Sequence, residues 1–225
     1  MIESSLVFLD KVMVLLIAAG LLLPTMHQSS LGTVMLLAGP KLHGLWYTGW
    51  IPLLFLVSCV GMGYAVVVWE SALSSRVFGR RRETSMLVSL STATAVTTAL
   101  FLIIRFLDLI FSGKVAMMFS SGLLSVMFWL EIALFAVPMV MLLGKGTVSF
   151  ATMLRASILL MLAGSLYRFD AYIVAYDPGP GWSYFPILPE LFITLGIIAL
   201  EITLYIVIVK RFPILSGAPS ARSAQ

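Results

Sequence analysis

The sequence predicts an all-α integral membrane protein with about six transmembrane helices, and three observations carry that prediction. Of the 225 residues, 60% are hydrophobic and only 11% are charged, against roughly 25% charged in a soluble domain. The mean hydropathy is +1.07, far more apolar than one soluble core requires. The apolar residues also fall into six runs, each long enough for a crossing of about 20 residues. The net charge of +4 fits basic membrane-flanking links better than a nucleic-acid surface. No nucleic-acid partner is expected; the lipid bilayer is.

The runs cover approximately 5–26, 51–76, 85–111, 121–144, 148–174 and 187–210. The first has no basic region before it and no cleavage signal, so it is read as a retained helix. After it, "LGTVMLLAG" (31–39) is too short to cross and reads as an interfacial half-helix. Residues 1–212 form the membrane domain. The tail 213–225, ending "SGAPSARSAQ", reads as disordered and cytoplasmic. Arg76, Arg80, Arg81 and Arg82 follow the second span, Lys145 follows the fourth, and Lys210, Arg211 and Arg222 follow the sixth. Six spans put all of these on one side. By the positive-inside rule both termini are cytoplasmic, and "HQSSLG" faces outward. The single cysteine, Cys59, excludes an internal disulfide and cannot build a metal cluster alone.

Charges recur inside the apolar runs, where each is costly unless paired or facing a wet cavity. Glu70 lies close to the arginine-rich link and pairs at the surface. Arg105 and Asp108 stand three apart on one helical face and can pair. Glu131 has no cation within a turn of its own helix, so it needs an arginine from a neighbouring helix or a neutral, protonated state. Arg168 and Asp170 close the fifth span. Glu201 lies within the sixth, one turn before Tyr205. Glu190 follows Pro189 and fits the chemistry of a helix start. The set Arg105, Asp108, Glu131, Arg168 and Asp170 reads either as a charge-neutral clamp or as a proton pathway.

"HQSSLG" interrupts the apolar pattern with His27, Gln28, Ser29 and Ser30. A serine there can cap a half-helix starting near Leu31. Imidazole titrates near pKa 6.5 and can exchange a proton with a quinol. His27, Gln28 and Ser29 are therefore the candidate quinone-binding residues, with Trp46, Tyr47 and Trp50 as slot walls or as an interfacial belt. The only histidines, His27 and His43, both fall in the outward link, so no haem is expected within this chain. No catalytic or metal-ligating set is expected.

At these residues the sequence resembles the NrfD-like (polysulfide reductase) membrane subunits, and most of all the HybB type of nickel–iron hydrogenases. The pieces are "MHQSSLGTVMLL", "KLHGLWYTGWIPLLFLVSCVGMGYAVVVWES", "RFLDL", "FWLEI", "LYRFDAYIVAY", "GWSYFPILPELFITLG" and "ALEITLYIVIVKRFPIL". Gly44, Gly49 and Asp170 depart from the family pattern. The chain matches only the C-terminal part of such subunits. The resemblance implies a haem-free anchor that binds a quinone (menaquinone or ubiquinone). It implies an iron–sulfur electron-transfer subunit on the outward face and a catalytic subunit such as hydrogenase. It also implies another membrane chain supplying N-terminal helices, and proton movement through the second bundle. The alternatives are a purely structural anchor, whose partner chain holds the quinone site, and an ion or proton transporter.

Overall fold

A computed structural model describes residues 2–77, 84–120, 122–144, 148–182 and 184–211. Arg80, Arg81, Arg82, Lys145, Arg222 and the 213–225 tail lie outside the described residues. The helices are α1 (Ile2–Leu37), α2 (Ile51–Val77), α3 (Thr84–Phe111), the single turn α4 (Val115–Met118), α5 (Leu123–Leu143), α6 (Phe150–Phe169) and α7 (Leu188–Arg211). Six segments of the described residues are long and apolar enough to cross a membrane: Val12–Leu37, Ile51–Arg76, Ser85–Phe111, Leu123–Leu143, Phe150–Val174 and Leu188–Arg211. Among the described residues there is no strand, only an isolated bridge between Leu42 and Tyr176.

The first helix differs from expectation. α1 continues unbroken through His27–Ser30 to Leu37, so no separate half-helix begins at Leu31. The backbone ladder of a helix does not depend on side-chain polarity, and the threonines on either side of the stretch bond back to the helix's own carbonyls. Thr25 Oγ1 donates to Leu21 O at 2.9 Å, and Thr33 Oγ1 donates to Ser29 O at 3.0 Å. Pro24 is accommodated inside the helix, as prolines are in membrane helices. The chain leaves α1 through Gly39, whose φ of +56° lies in the left-handed region, followed directly by Pro40.

Helices α2, α3, α5 and α6 close a four-helix ring, and α1 lies against α2. The α1–α2 approach depends on Gly32. A Cβ there would stand 2.6 Å from Pro52 Cα, so only glycine lets the two backbones meet. The main core joins all four helices of the ring: Phe55 from α2, Phe101 from α3, Phe128 and Phe135 from α5 and Tyr167 from α6. Phe101 sits 4.4 Å from the Phe135 ring centre and 5.2 Å from that of Tyr167. Ser149 caps α6 by accepting from Thr152 N at 3.2 Å. Glu190 Oε2 accepts from Ile187 N at 3.0 Å and from Tyr184 OH at 2.9 Å, a helix-start role for that acid.

Three links meet at one end of the ring. Asp177 N donates to Lys41 O at 2.7 Å, His43 N donates to Ala175 O at 2.9 Å, and Lys114 Nζ donates to Tyr47 O at 2.6 Å. These contacts join the α1–α2, α3–α5 and α6–α7 links into one platform. α7 contributes no buried residue.

Candidate functional site: a buried charged centre

Under that platform, four elements bring charge into the core. α3 supplies Arg105, α5 supplies Glu131, the α1–α2 link supplies Trp46, and the end of α6 supplies Tyr167 and Asp170. None of the five is more than 1% exposed. Trp46 Nε1 donates to Glu131 Oε2 at 2.8 Å. Arg105 Nη2 lies 3.6 Å from Glu131 Oε1, an ion pair too long to be a hydrogen bond. The Arg105 guanidinium stands over two rings, 5.6 Å from the centre of Phe128 and 5.5 Å from that of Tyr167. Stacking of this kind suits the planar, weakly hydrated guanidinium.

Asp170 stands three residues after Tyr167, on the same face of the helix, and the backbone changes pitch from Asp170 onward. Residues Asp170–Val174 form a π turn, with Ala175 N donating to Asp170 O at 2.7 Å. The Asp170 carboxylate lies within electrostatic reach of Glu131 and Arg105, and neither of its oxygens has a partner among the described residues. Arg105 Nε, Glu131 Oε1 and the Tyr167 hydroxyl share that condition. The centre therefore holds one cation, two carboxylates and several buried polar atoms with unused hydrogen-bonding capacity. A group of this kind takes water or another small polar guest.

The structure places the sequence-derived residues as follows. Arg105, Glu131 and Asp170 come together. Asp108 is half-buried on α3 and does not pair with Arg105, whose partner is Glu131 instead. Glu131 thus draws its arginine from a neighbouring helix. Arg168 is turned to the other side of α6. Its Nη2 donates to Gln28 Oε1 at 2.9 Å and its Nη1 to Gly164 O at 2.7 Å, while the guanidinium covers the Phe55 ring at 5.6 Å. Gln28 is thereby committed to tying α1 to α6, and Tyr172 OH reinforces that contact by donating to Leu31 O at 3.0 Å.

His27 is exposed on α1, one residue and about 100° of helix away from Gln28. Ser29 caps no helix, because no helix begins there. His27, Gln28 and Ser29 are thus not gathered into one pocket. Tyr47 and Trp50 are 36% and 56% exposed, whereas Trp46 is fully buried. Trp46 and Tyr167 are the members of the centre that sequence reasoning missed. An indole beside two other aromatics in a polar link gives no sign that it turns inward. His43 is half-buried in the platform, its Nδ1 accepting from Leu45 N at 3.4 Å. Burial holds its pKa below the ordinary histidine value.

No protein-family model matches the chain, and no solved structure matches it. Two curated proteins do. The chain is 40% identical over 219 residues to an Escherichia coli (strain K12) protein named "Probable Ni/Fe-hydrogenase 2 b-type cytochrome subunit", covering 95% of this chain and 55% of the relative. It is 27% identical over 230 residues to a protein of Nitratidesulfovibrio vulgaris (strain Hildenborough), covering 95% of this chain and 58% of that one. The chain spans a little over half the length of the curated relatives it matches.

The first relative's name overturns two expectations. It is a cytochrome name, so the NrfD-like, HybB-type resemblance and the haem-free quinone anchor drawn from it do not stand. The expectation of no haem falls with them. Its physical weakness is plain: axial ligands can come from two polypeptides, so a histidine count within a chain spanning about half of its relative excludes nothing. The described residues do not themselves enclose a haem. His27 faces outward on α1, and His43 has one ring nitrogen engaged within a link. The groove of about 530 Å³ between α2 and α6 is lined by Trp69, Ala72, Leu73, Arg76, Phe150 and Leu154 among others, with no histidine. Among the described residues, neither His27 nor His43 lines that groove.

Proposed function

We propose that the chain is a membrane-embedded subunit of a Ni/Fe-hydrogenase-type oxidoreductase and serves electron transfer at the membrane. The observation that carries this reading is the 40% identity to the hydrogenase cytochrome subunit, spread over 95% of the chain. The aligned stretch is long enough to include the membrane helices, the platform and the buried centre together.

Within such a complex this chain's residues act as scaffold. The Arg105–Glu131 pair, locked by Trp46, ties α3 and α5 to the α1–α2 link, and Arg168 with Gln28 ties α6 to α1. Asp170 and Tyr167 make the middle of the ring polar, and internal water completes its hydrogen bonds. The three joined links form a surface for an iron–sulfur subunit, which connects the membrane to the catalytic hydrogenase subunit. Its exposed aromatic side chains, Trp50, Phe119 and Trp182, are of the type enriched at protein interfaces. Further membrane polypeptide completes the complex, in a bacterial inner membrane with both termini cytoplasmic.

The test is affinity purification of the tagged chain from its own membranes in mild detergent, with mass spectrometry of what accompanies it. A Ni/Fe-hydrogenase catalytic subunit and an iron–sulfur protein in fixed proportion support the reading. A chain recovered without either refutes it. A reduced-minus-oxidised absorption spectrum of the same sample shows whether its membrane carrier is a b-type haem.

A further inference from the structure

The groove of about 530 Å³ between α2 and α6 is used by neither the buried centre nor the platform. Ala72 and Ala151 leave room between the helices because their side chains are short, while Leu73, Leu154 and Ile158 make the lining apolar. Leu73 and Ile158 are 38% and 42% exposed, so the groove is open along the side of the bundle. Arg76 and Phe150 line its end. Arg76 is the last residue of the crossing segment Ile51–Arg76, and Phe150 is the first of Phe150–Val174. From that end the groove runs to Trp69 on α2 and Ile158 on α6, about 10 to 12 Å at 1.5 Å per residue. It therefore starts at the membrane surface and stays within one leaflet of a hydrocarbon core about 30 Å thick.

Depth, width and charge select the occupant. A groove of this volume and length averages about 50 Å² in cross-section, about half that of a helix with its side chains, so another crossing helix does not enter it. Arg76 is exposed at the mouth, and among the described residues no carboxylate pairs with it. Glu70, the nearest acid on α2, stands about 9 Å deeper along the helix. The two links that enter at this end carry Arg80, Arg81, Arg82 and Lys145 against one acid, Glu83. Whatever their course, they add positive charge and supply no net counter-charge for Arg76. An acyl chain is apolar, narrower than a helix and native to this depth, and the phosphate of its lipid lies at the level where the crossing segments end. We propose that the groove holds one acyl chain of an anionic phospholipid, whose phosphate meets Arg76 at the membrane surface. The site stands apart from the hydrogenase reading, because depth and charge alone select its ligand.

The test is photocross-linking in native membranes. The whole chain carries benzoylphenylalanine in place of Ile158, and the adducts are identified by mass spectrometry. The expected adducts are phospholipids, with anionic headgroups several-fold enriched over their share of the extracted membrane lipid. Arg76→Ala lowers that enrichment about fivefold, the weight of one basic side chain against an anionic headgroup, while Arg76→Lys keeps it. The two variants together separate lost recognition from lost folding, since only the charge distinguishes them in the lipid class captured. The proposal is overturned by adducts to this chain's own links or to another polypeptide, by quinone adducts, or by the absence of lipid adducts. It is equally overturned by lipid adducts that match the bulk membrane, or by an enrichment that Arg76→Ala leaves unchanged or Arg76→Lys abolishes.

Discussion

Removing Arg105 should damage this fold far more than removing either of the acids near it. Arg105→Leu leaves Glu131 and Asp170 buried with no cation, in a region where all three side chains are at most 1% exposed. Taking one partner from a buried ion pair costs about 3–5 kcal/mol. Loss of the guanidinium's contact with the Phe128 and Tyr167 rings adds about 1 kcal/mol. For a chain of this size that lowers the midpoint of thermal unfolding by about 10 °C. Glu131→Gln behaves differently. Its amide oxygen still accepts from Trp46 Nε1, and Asp170 remains as counter-ion to Arg105, so the expected cost is about 1 kcal/mol. Asp170→Asn removes the surplus carboxylate and is neutral within about 1 kcal/mol. The assay is thermal unfolding of the purified protein in detergent, followed by tryptophan fluorescence, with Trp46 as a reporter inside the centre. Equal losses for Arg105→Leu and Glu131→Gln would refute the charge count. So would an Arg105→Leu protein as stable as the parent.

Trp46→Phe keeps an aromatic side chain but strips Glu131 of its only hydrogen-bond donor among the described residues, and should cost about 1–2 kcal/mol in thermal unfolding followed by circular dichroism. Gly32→Ala forces a Cβ to 2.6 Å from Pro52 Cα and should part α1 from α2. The expected loss is about 1–3 kcal/mol, read as weaker disulfide trapping between cysteines placed on the two helices. Gln28→Ala frees Arg168 on the α1 side and should raise hydrogen exchange along α1 with little change in α3 or α5. His43 has a lowered pKa because it is buried. The unfolded platform therefore binds the proton more readily, and stability falls as pH drops through and below the ordinary histidine value. The protection factor of the Leu45 amide, which is the exchange rate corrected for its intrinsic pH dependence, should fall between pH 8 and pH 5, and His43→Phe should remove that dependence.

The sequence made the number of crossing helices legible because hydrophobic length is a direct physical requirement of the bilayer. Glu131's need for an outside arginine was also legible, since its own helix carries no cation within reach. The identity of that arginine's partner was not. Arg105 and Asp108 share a helical face, but spacing along one helix says nothing about what approaches from the next, and Glu131 approaches closer. His27–Ser30 misled for a related reason. Four polar residues in a row look like a break, yet the backbone ladder of a helix does not depend on side-chain polarity, and α1 runs on through them. Trp46 and the π turn at Asp170 depend on tertiary packing and leave no periodic trace. The haem expectation failed because one chain's histidines were counted where the relevant unit is an assembly.

The most direct test of the hydrogenase reading is electron transfer from hydrogen in membranes that lack this chain. The account predicts that H₂-dependent reduction of the membrane's own electron carriers disappears, while H₂-dependent reduction of a soluble dye by the catalytic subunit persists. Restoring the chain should restore the membrane-linked activity. Undiminished membrane-linked activity in its absence would contradict the account.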